Sequence, residues 1–109
     1  RNELAMALIE LMKCDEIADQ EIRRIEPDGL PPIAVYKLGD DYFATDDTCT
    51  HGEASLAEGD IEGDEVYCPF HMGAFNIRTG EATVPPCVQA LNSYPVRIVD
   101  DTVWIEIEA

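Results

Sequence analysis

Apolar residues fall in short stretches along this chain, many of them alternating with polar residues and bounded by Gly, Pro, Asp or Asn. That pattern predicts strands rather than helices. In residues 9–13 the apolar side chains stand mostly on alternate positions, and residues 21–25 run into the turn Pro27-Asp28-Gly29. Both suit half-exposed strands. Residues 33–37 and 42–45 flank Leu38-Gly39-Asp40-Asp41, whose Gly and Asp tolerate the positive φ of a tight hairpin. A second hairpin joins residues 97–99 to 102–107 through the two-residue connection Asp100-Asp101. The expected fold class is all-β, a sandwich or barrel with little helix.

Between these hairpins, residues 46–95 are richer in Gly, Pro, Cys and His and poorer in long apolar runs, so they read as an insertion that carries function. A short strand at residues 75–77 and a turn at 78–81 are legible there, and Pro85-Pro86 restricts the backbone. No internal repeat or low-complexity segment is visible. The length of 109 residues supports a single domain over residues 1–109. Residues 1–5 are set aside as a non-native or disordered extension, with Met6 the candidate natural start.

Composition narrows the function classes. With 46% hydrophobic and 28% charged residues the chain is globular rather than a disordered acidic tail. Seven basic against 23 acidic side chains leave a formal charge of −16, which repels nucleic-acid phosphates and favours neutral or basic protein partners. No run of apolar residues is long enough to span a bilayer, and the N-terminus lacks the build of a secretory signal. A cytoplasmic location without membrane contact is expected.

Cys49-Thr50-His51 and Cys68-Pro69-Phe70-His71 are the two places where Cys and His fall together, and they use both histidines of the chain. The spacing is C-x-H, sixteen residues, then C-x-x-H. Two soft thiolates and two imidazoles, one of each per loop, make a four-ligand metal site that two loops can close around. A structural zinc site and an iron–sulfur cluster share that donor set. Zinc fingers commonly pair Cys with Cys and His with His across a helix, whereas each loop here contributes one of each in a region without helical pattern. Such pairing lets one iron take both thiolates and the other both imidazoles, the ligation of a Rieske [2Fe–2S] centre. Zinc remains the alternative.

With these residues the chain resembles the Rieske ferredoxins that serve bacterial aromatic-ring-hydroxylating dioxygenases. The likeness runs through Cys49-Thr50-His51-Gly52, Ala54-Ser55-Leu56, Cys68-Pro69-Phe70-His71 with Gly73-Ala74-Phe75, the Thr79-Gly80 turn, and Pro85-Pro86 ahead of Tyr94-Pro95-Val96. It implies a Rieske fold: an antiparallel β-sandwich-like base with a small cluster-binding subdomain inserted at about residues 46–95. It also implies one [2Fe–2S] cluster on Cys49, His51, Cys68 and His71. The histidines would bind through Nδ1 and present their other nitrogen near solvent, which makes them the natural electron exit.

This ligation bears on the potential. With two thiolates the oxidised centre is formally neutral and becomes singly negative on reduction, whereas four thiolates would take it from doubly to triply negative, so imidazole ligation raises the potential. High-potential Rieske relatives carry an extra disulfide between the cluster loops and place a Ser and a Tyr hydroxyl as donors to cluster sulfur. By resemblance the matching positions here are Ala54 and Phe70, which cannot form a disulfide, and Gly73 and Phe75, which offer no hydroxyl. The centre should therefore sit toward the low end of the Rieske range, near about −150 mV.

Cys14 and Cys87 read as free structural thiols, since a reducing cytoplasm disfavours a disulfide between them. Between Lys37 and Arg78 there is no Lys or Arg, while ten acids occur: Asp40, Asp41, Asp46, Asp47, Glu53, Glu58, Asp60, Glu62, Asp64 and Glu65. An acidic docking surface and ordinary solvated faces both fit this run. The leading function is a one-electron carrier, not an enzyme, that takes electrons from an NAD(P)H-dependent flavin reductase and passes them to a terminal Rieske oxygenase. An oxygenase catalytic subunit would need further histidines for a mononuclear iron, and none is left. The small Rieske subunit of an assimilatory nitrite reductase is the other reading.

Overall fold

The computed structural model describes residues 6–70 and 72–108. The extension read at residues 1–5 lies outside them. In chain order the strands are β1 (Met6–Lys13), β2 (Ile22–Ile25), β3 (Ile33–Leu38), β4 (Asp41–Asp46), β5 (Asp60–Glu62), β6 (Glu65–Tyr67), β7 (Ala74–Asn76), β8 (Ala82–Val84), β9 (Ser93–Tyr94), β10 (Val96–Val99) and β11 (Thr102–Glu108). They form three antiparallel sheets, ordered β1-β11-β10, β2-β3-β4-β9 and β5-β6-β7-β8. Two single turns of 3-10 helix, Cys14–Glu16 and Leu56–Glu58, are the helical elements among the described residues. None of their helices is long and apolar enough to cross a membrane.

The second sheet is the middle layer because β3 is apolar on both faces. Ile33 and Val35 pack with Leu11, Met12, Ile17, Ala44, Val103 and Ile105 in the core shared with the first sheet. Ala34, Tyr36 and Leu38 point the other way, into a core with Leu56, Val66, Phe75, Ile77 and three cysteines. Side chains alternate across a strand, so a continuous apolar run serves two cores where an alternating one serves a single core. In β1 the register slips between Glu10 and Met12, and this bulge lets the consecutive Leu11 and Met12 both turn inward.

Both expected hairpins are present. Leu38 pairs with Asp41 around Gly39 (φ 65°), and Val99 pairs with Thr102 around Asp100 and Asp101, which take φ values of 51° and 60°. The 78–81 turn closes with Gly80 N–H donating to the Asn76 carbonyl, while the Asn76 side chain accepts from the N–H groups of Arg78 and Thr79. β5, β6, β8 and β9 escape a sequence reading because segments of two or three residues are too short to show a period. The strand expected at 75–77 ends one residue earlier, at Asn76.

Left-handed backbone costs an aspartate more than a glycine, so the second hairpin carries a removable penalty at two adjacent positions. Asp101→Gly should stabilise the cluster-loaded protein by about 0.5–1 kcal/mol, read as a higher denaturation midpoint at unchanged slope.

Candidate metal centre

The meander β5-β6-β7-β8 brings three loops to one of its ends, because Tyr67 pairs with both Asp60 and Ala74, and Ala74 pairs with Val84. The loop ahead of β5 carries Cys49 and His51. Its Thr48 and Ser55 form a bridge, Cys49 N–H donates to Ala54 O (3.0 Å), and Gly52 N–H to Cys49 O (3.3 Å). The loop between β6 and β7 is pinched by Cys68 N–H donating to Gly73 O at 2.7 Å, and Met72 adopts the left-handed conformation needed to turn back (φ 59°). The third loop follows β8 through a cis Pro85–Pro86 bond to Cys87, whose N–H donates to Val84 O. Thr50 Oγ1 reaches across to Gln89 O at 2.6 Å and ties the first loop to the third.

Asp47 is the anchor of the first loop. It is 1% exposed, although it stands in the acidic run that reads as surface. Its Oδ2 accepts from the Ser55 hydroxyl (2.6 Å) and lies 3.2 Å from Arg24 Nε, its Oδ1 accepts from Ala57 N–H (2.9 Å), and its carbonyl accepts from Leu56 N–H (2.8 Å). A buried carboxylate is tolerated only when its lone pairs are met in this way. Asp46 and Asp64 are also engaged: Asp46 accepts from Asn92 and Tyr94, and Asp64 pairs with Arg78 at 3.2 Å. Glu53, Glu58, Asp60 and Glu62 are exposed, and among the described residues no Lys or Arg bridges to them.

Of the four expected ligands, Cys49 and Cys68 are buried in the same core, while His51 is exposed two residues from Cys49. His71 lies outside the described residues, and within them no three-ligand metal group is assembled. The sulfur environment fits metal-bound thiolates. His51 N–H points at Cys49 Sγ (3.4 Å), and Phe70 N–H favours the anionic form of Cys68. Without metal, burial and the adjacent Cys49 thiol together push Cys68 up to about 11. Loading a metal therefore displaces the proton of Cys68.

The Gly73 position admits no serine. A Cβ built there would fall 2.4 Å from Cys87 Sγ, 2.9 Å from Cys87 N and 3.0 Å from Val84 O, so the hydroxyl donor of high-potential relatives is excluded by packing as well as by sequence. Phe75 is fully buried in the core that contains the three cysteines. Phe70, Met72 and Val88 are the exposed apolar residues of the second and third loops, at 53%, 55% and 82% exposure. They frame the end of the molecule at which His51 reaches solvent. Asp47 and Cys87 carry no local sequence signal for the positions they take, since Asp47 is met by Arg24 of β2 and by groups eight to ten residues further on, and Cys87 by Cys49 of another loop.

The profile of the Rieske [2Fe-2S] domain family matches residues 7–95. Ferredoxin CarAc of Metapseudomonas resinovorans is 48% identical over 77% of this chain and 78% of its own length. The ferredoxin component of the p-cumate 2,3-dioxygenase system of Pseudomonas putida is 41% identical over 94% of this chain and 87% of its own. Among solved structures, a chain in the complex of reduced oxygenase and oxidized ferredoxin in carbazole 1,9a-dioxygenase is 41% identical with a TM-score of 0.85. That match covers 90% of this chain and 91% of that one.

The Asp47 cluster makes a definite demand on stability. Asp47→Ala strands the Ser55 hydroxyl, the Ala57 N–H and Arg24, and should cost about 2–3 kcal/mol in chemical denaturation. Asp47→Asn retains an acceptor and should cost about 1 kcal/mol.

Proposed function

The chain belongs to the Rieske [2Fe-2S] domain family, and on that premise we propose that Cys49, His51, Cys68 and His71 hold one [2Fe–2S] cluster, thiolates on one iron and imidazoles on the other. It is a ferredoxin component of an aromatic-ring dioxygenase system, an electron carrier rather than a catalyst, and its electron acceptor is a terminal Rieske oxygenase. When bound, the cluster supplies reversible one-electron storage. The ligand reading rests on one observation above all: two thiols buried in one core, each served by a backbone N–H donor, with an exposed histidine two residues from one of them.

Each residue has a separate task. Cys49 and Cys68 keep the sulfur side away from water, so the negative charge of the thiolates is countered by oriented N–H dipoles rather than by mobile solvent. His51 brings the imidazole side to the surface, where the path to a docked partner is shortest. Phe70, Met72 and Val88 supply apolar contact around that exit, and Glu53, Glu58, Asp60 and Glu62 supply a long-range field. The electron donor in this reading is an NAD(P)H-dependent flavin reductase, which suits a centre near the low end of the Rieske range and places the carrier in the cytoplasm. Residues 1–109 act as one domain, with 46–95 as the cluster-bearing insertion.

Metal and sulfide analysis should find about two irons and two acid-labile sulfides per chain, and dithionite-reduced protein should give a Rieske-type electron paramagnetic resonance signal. Stoichiometric zinc in a colourless, folded sample would sink the assignment. Cys68→Ala should lose the cluster and loosen residues 46–95 in hydrogen exchange.

Steering by the acidic field should make association with the oxygenase slow as salt rises, because screening acts over about 10 Å at 0.1 M ionic strength and leaves close apolar contact intact. Glu53→Gln combined with Glu58→Gln should lower the association rate at low salt and lose that effect at high salt. Asp64 is the wrong residue to neutralise, since doing so frees Arg78. Equal slowing at both salt concentrations would point to local contact instead.

A further inference from the structure

A third thiol lies against the proposed ligands. Cys87 is 3% exposed, and its Sγ stands 3.8 Å from Cys49 Sγ, within reach of an S–H···S hydrogen bond. Its position is over-determined. The backbone is held by Cys87 N–H donating to Val84 O and by the paired prolines before it, and the loop is tied down two residues later by Thr50 on Gln89 O. Gly73 leaves open the volume that Cys87 Sγ fills, since any side chain at residue 73 would start 2.4 Å from that sulfur. Cys14, by contrast, packs against the other core, between the first two sheets.

A metal-bound Cys49 thiolate has no proton to give, so within this pair only Cys87 can donate. Reduction adds one negative charge to the centre, and a donor aimed at a ligand sulfur stabilises the reduced state more than the oxidised one. We propose that Cys87 is a positioning residue for electron transfer, an S–H donor to the Cys49 sulfur that raises the midpoint potential of the centre. The proposal rests on the reading of Cys49 as a cluster ligand and adds to it a tuning residue outside the ligand set.

The test compares Cys87→Val, of similar volume without a donor, with Cys87→Ser, which keeps one. Iron content, the reduced paramagnetic resonance spectrum and the midpoint potential by protein-film voltammetry are measured on cluster-loaded protein. Cys87→Val should keep its iron and shift the midpoint to more negative potential, while Cys87→Ser should shift it less. An unchanged midpoint in Cys87→Val, or equal shifts in the two variants, overturns the donor role. A second measurement needs no change at Cys87. In loaded Cys14→Ala protein Cys87 carries the one S–H outside the ligands, and its infrared stretching band should lie below the Cys14 band seen in Cys87→Val. If Cys87→Val does not hold its cluster, the comparison band comes from Cys14 in loaded wild-type protein, and a Cys87 band at or above it overturns the proposal. Cys49→Ala separates the two levels: full iron with an unchanged spectrum in that variant defeats the ligand reading itself, whereas loss of the cluster there leaves the Cys87 result to stand or fall on its own.

Discussion

Strand β3 has no solvent face, and this constraint organises the molecule. Ile33 and Val35 must be covered on one side and Ala34, Tyr36 and Leu38 on the other, so one sheet has to dock against each face. A slip of one residue would exchange the two sets and send the Tyr36 hydroxyl, which bonds the buried Thr45 Oγ1 at 2.8 Å, into an apolar core without its partner. The register of β3 against β4 is therefore held from both sides. Because β4 leads directly into the loop of Asp47 and Cys49, that register also sets where the first pair of proposed ligands begins.

The three loops above the third sheet are held by polar contacts rather than by their own secondary structure. Asp47 anchors the first to β2 through Arg24, Thr50 joins the first to the third, and the Cys68–Gly73 bond pinches the second. Each contact has at least one partner in a loop that carries a cysteine. The charge of the loops is divided in the same way. Asp46, Asp47 and Asp64 spend their charge on internal partners, whereas Glu53, Glu58, Asp60 and Glu62 leave theirs in solvent for a partner to feel.

An electron carrier must recognise two partners in succession and leave each quickly. On the proposed reading, the exposed Phe70, Met72 and Val88 within an acidic field would meet that need, the field speeding encounter and a limited contact area keeping the complex short-lived.

The sequence by itself determined whatever is carried by neighbours along the chain. The alternation in β1, the apolar stretch that opens β3, the two-residue turns at Gly39-Asp40 and Asp100-Asp101, and the C-x-H and C-x-x-H pairs each lie within a few residues and obey a local rule. Fold class and the expected ligand set followed from those. Only the tertiary structure decided that β5, β6 and β8 exist, because three residues have no period and gain strand geometry from the neighbours that bond them. It also decided that Asp47 belongs to the interior, that residue 73 must remain glycine, and that Cys87 stands beside Cys49 across 38 positions of sequence. These are contacts between distant segments, and a side chain's composition and its near neighbours hold no information about which remote atom the fold will set against it.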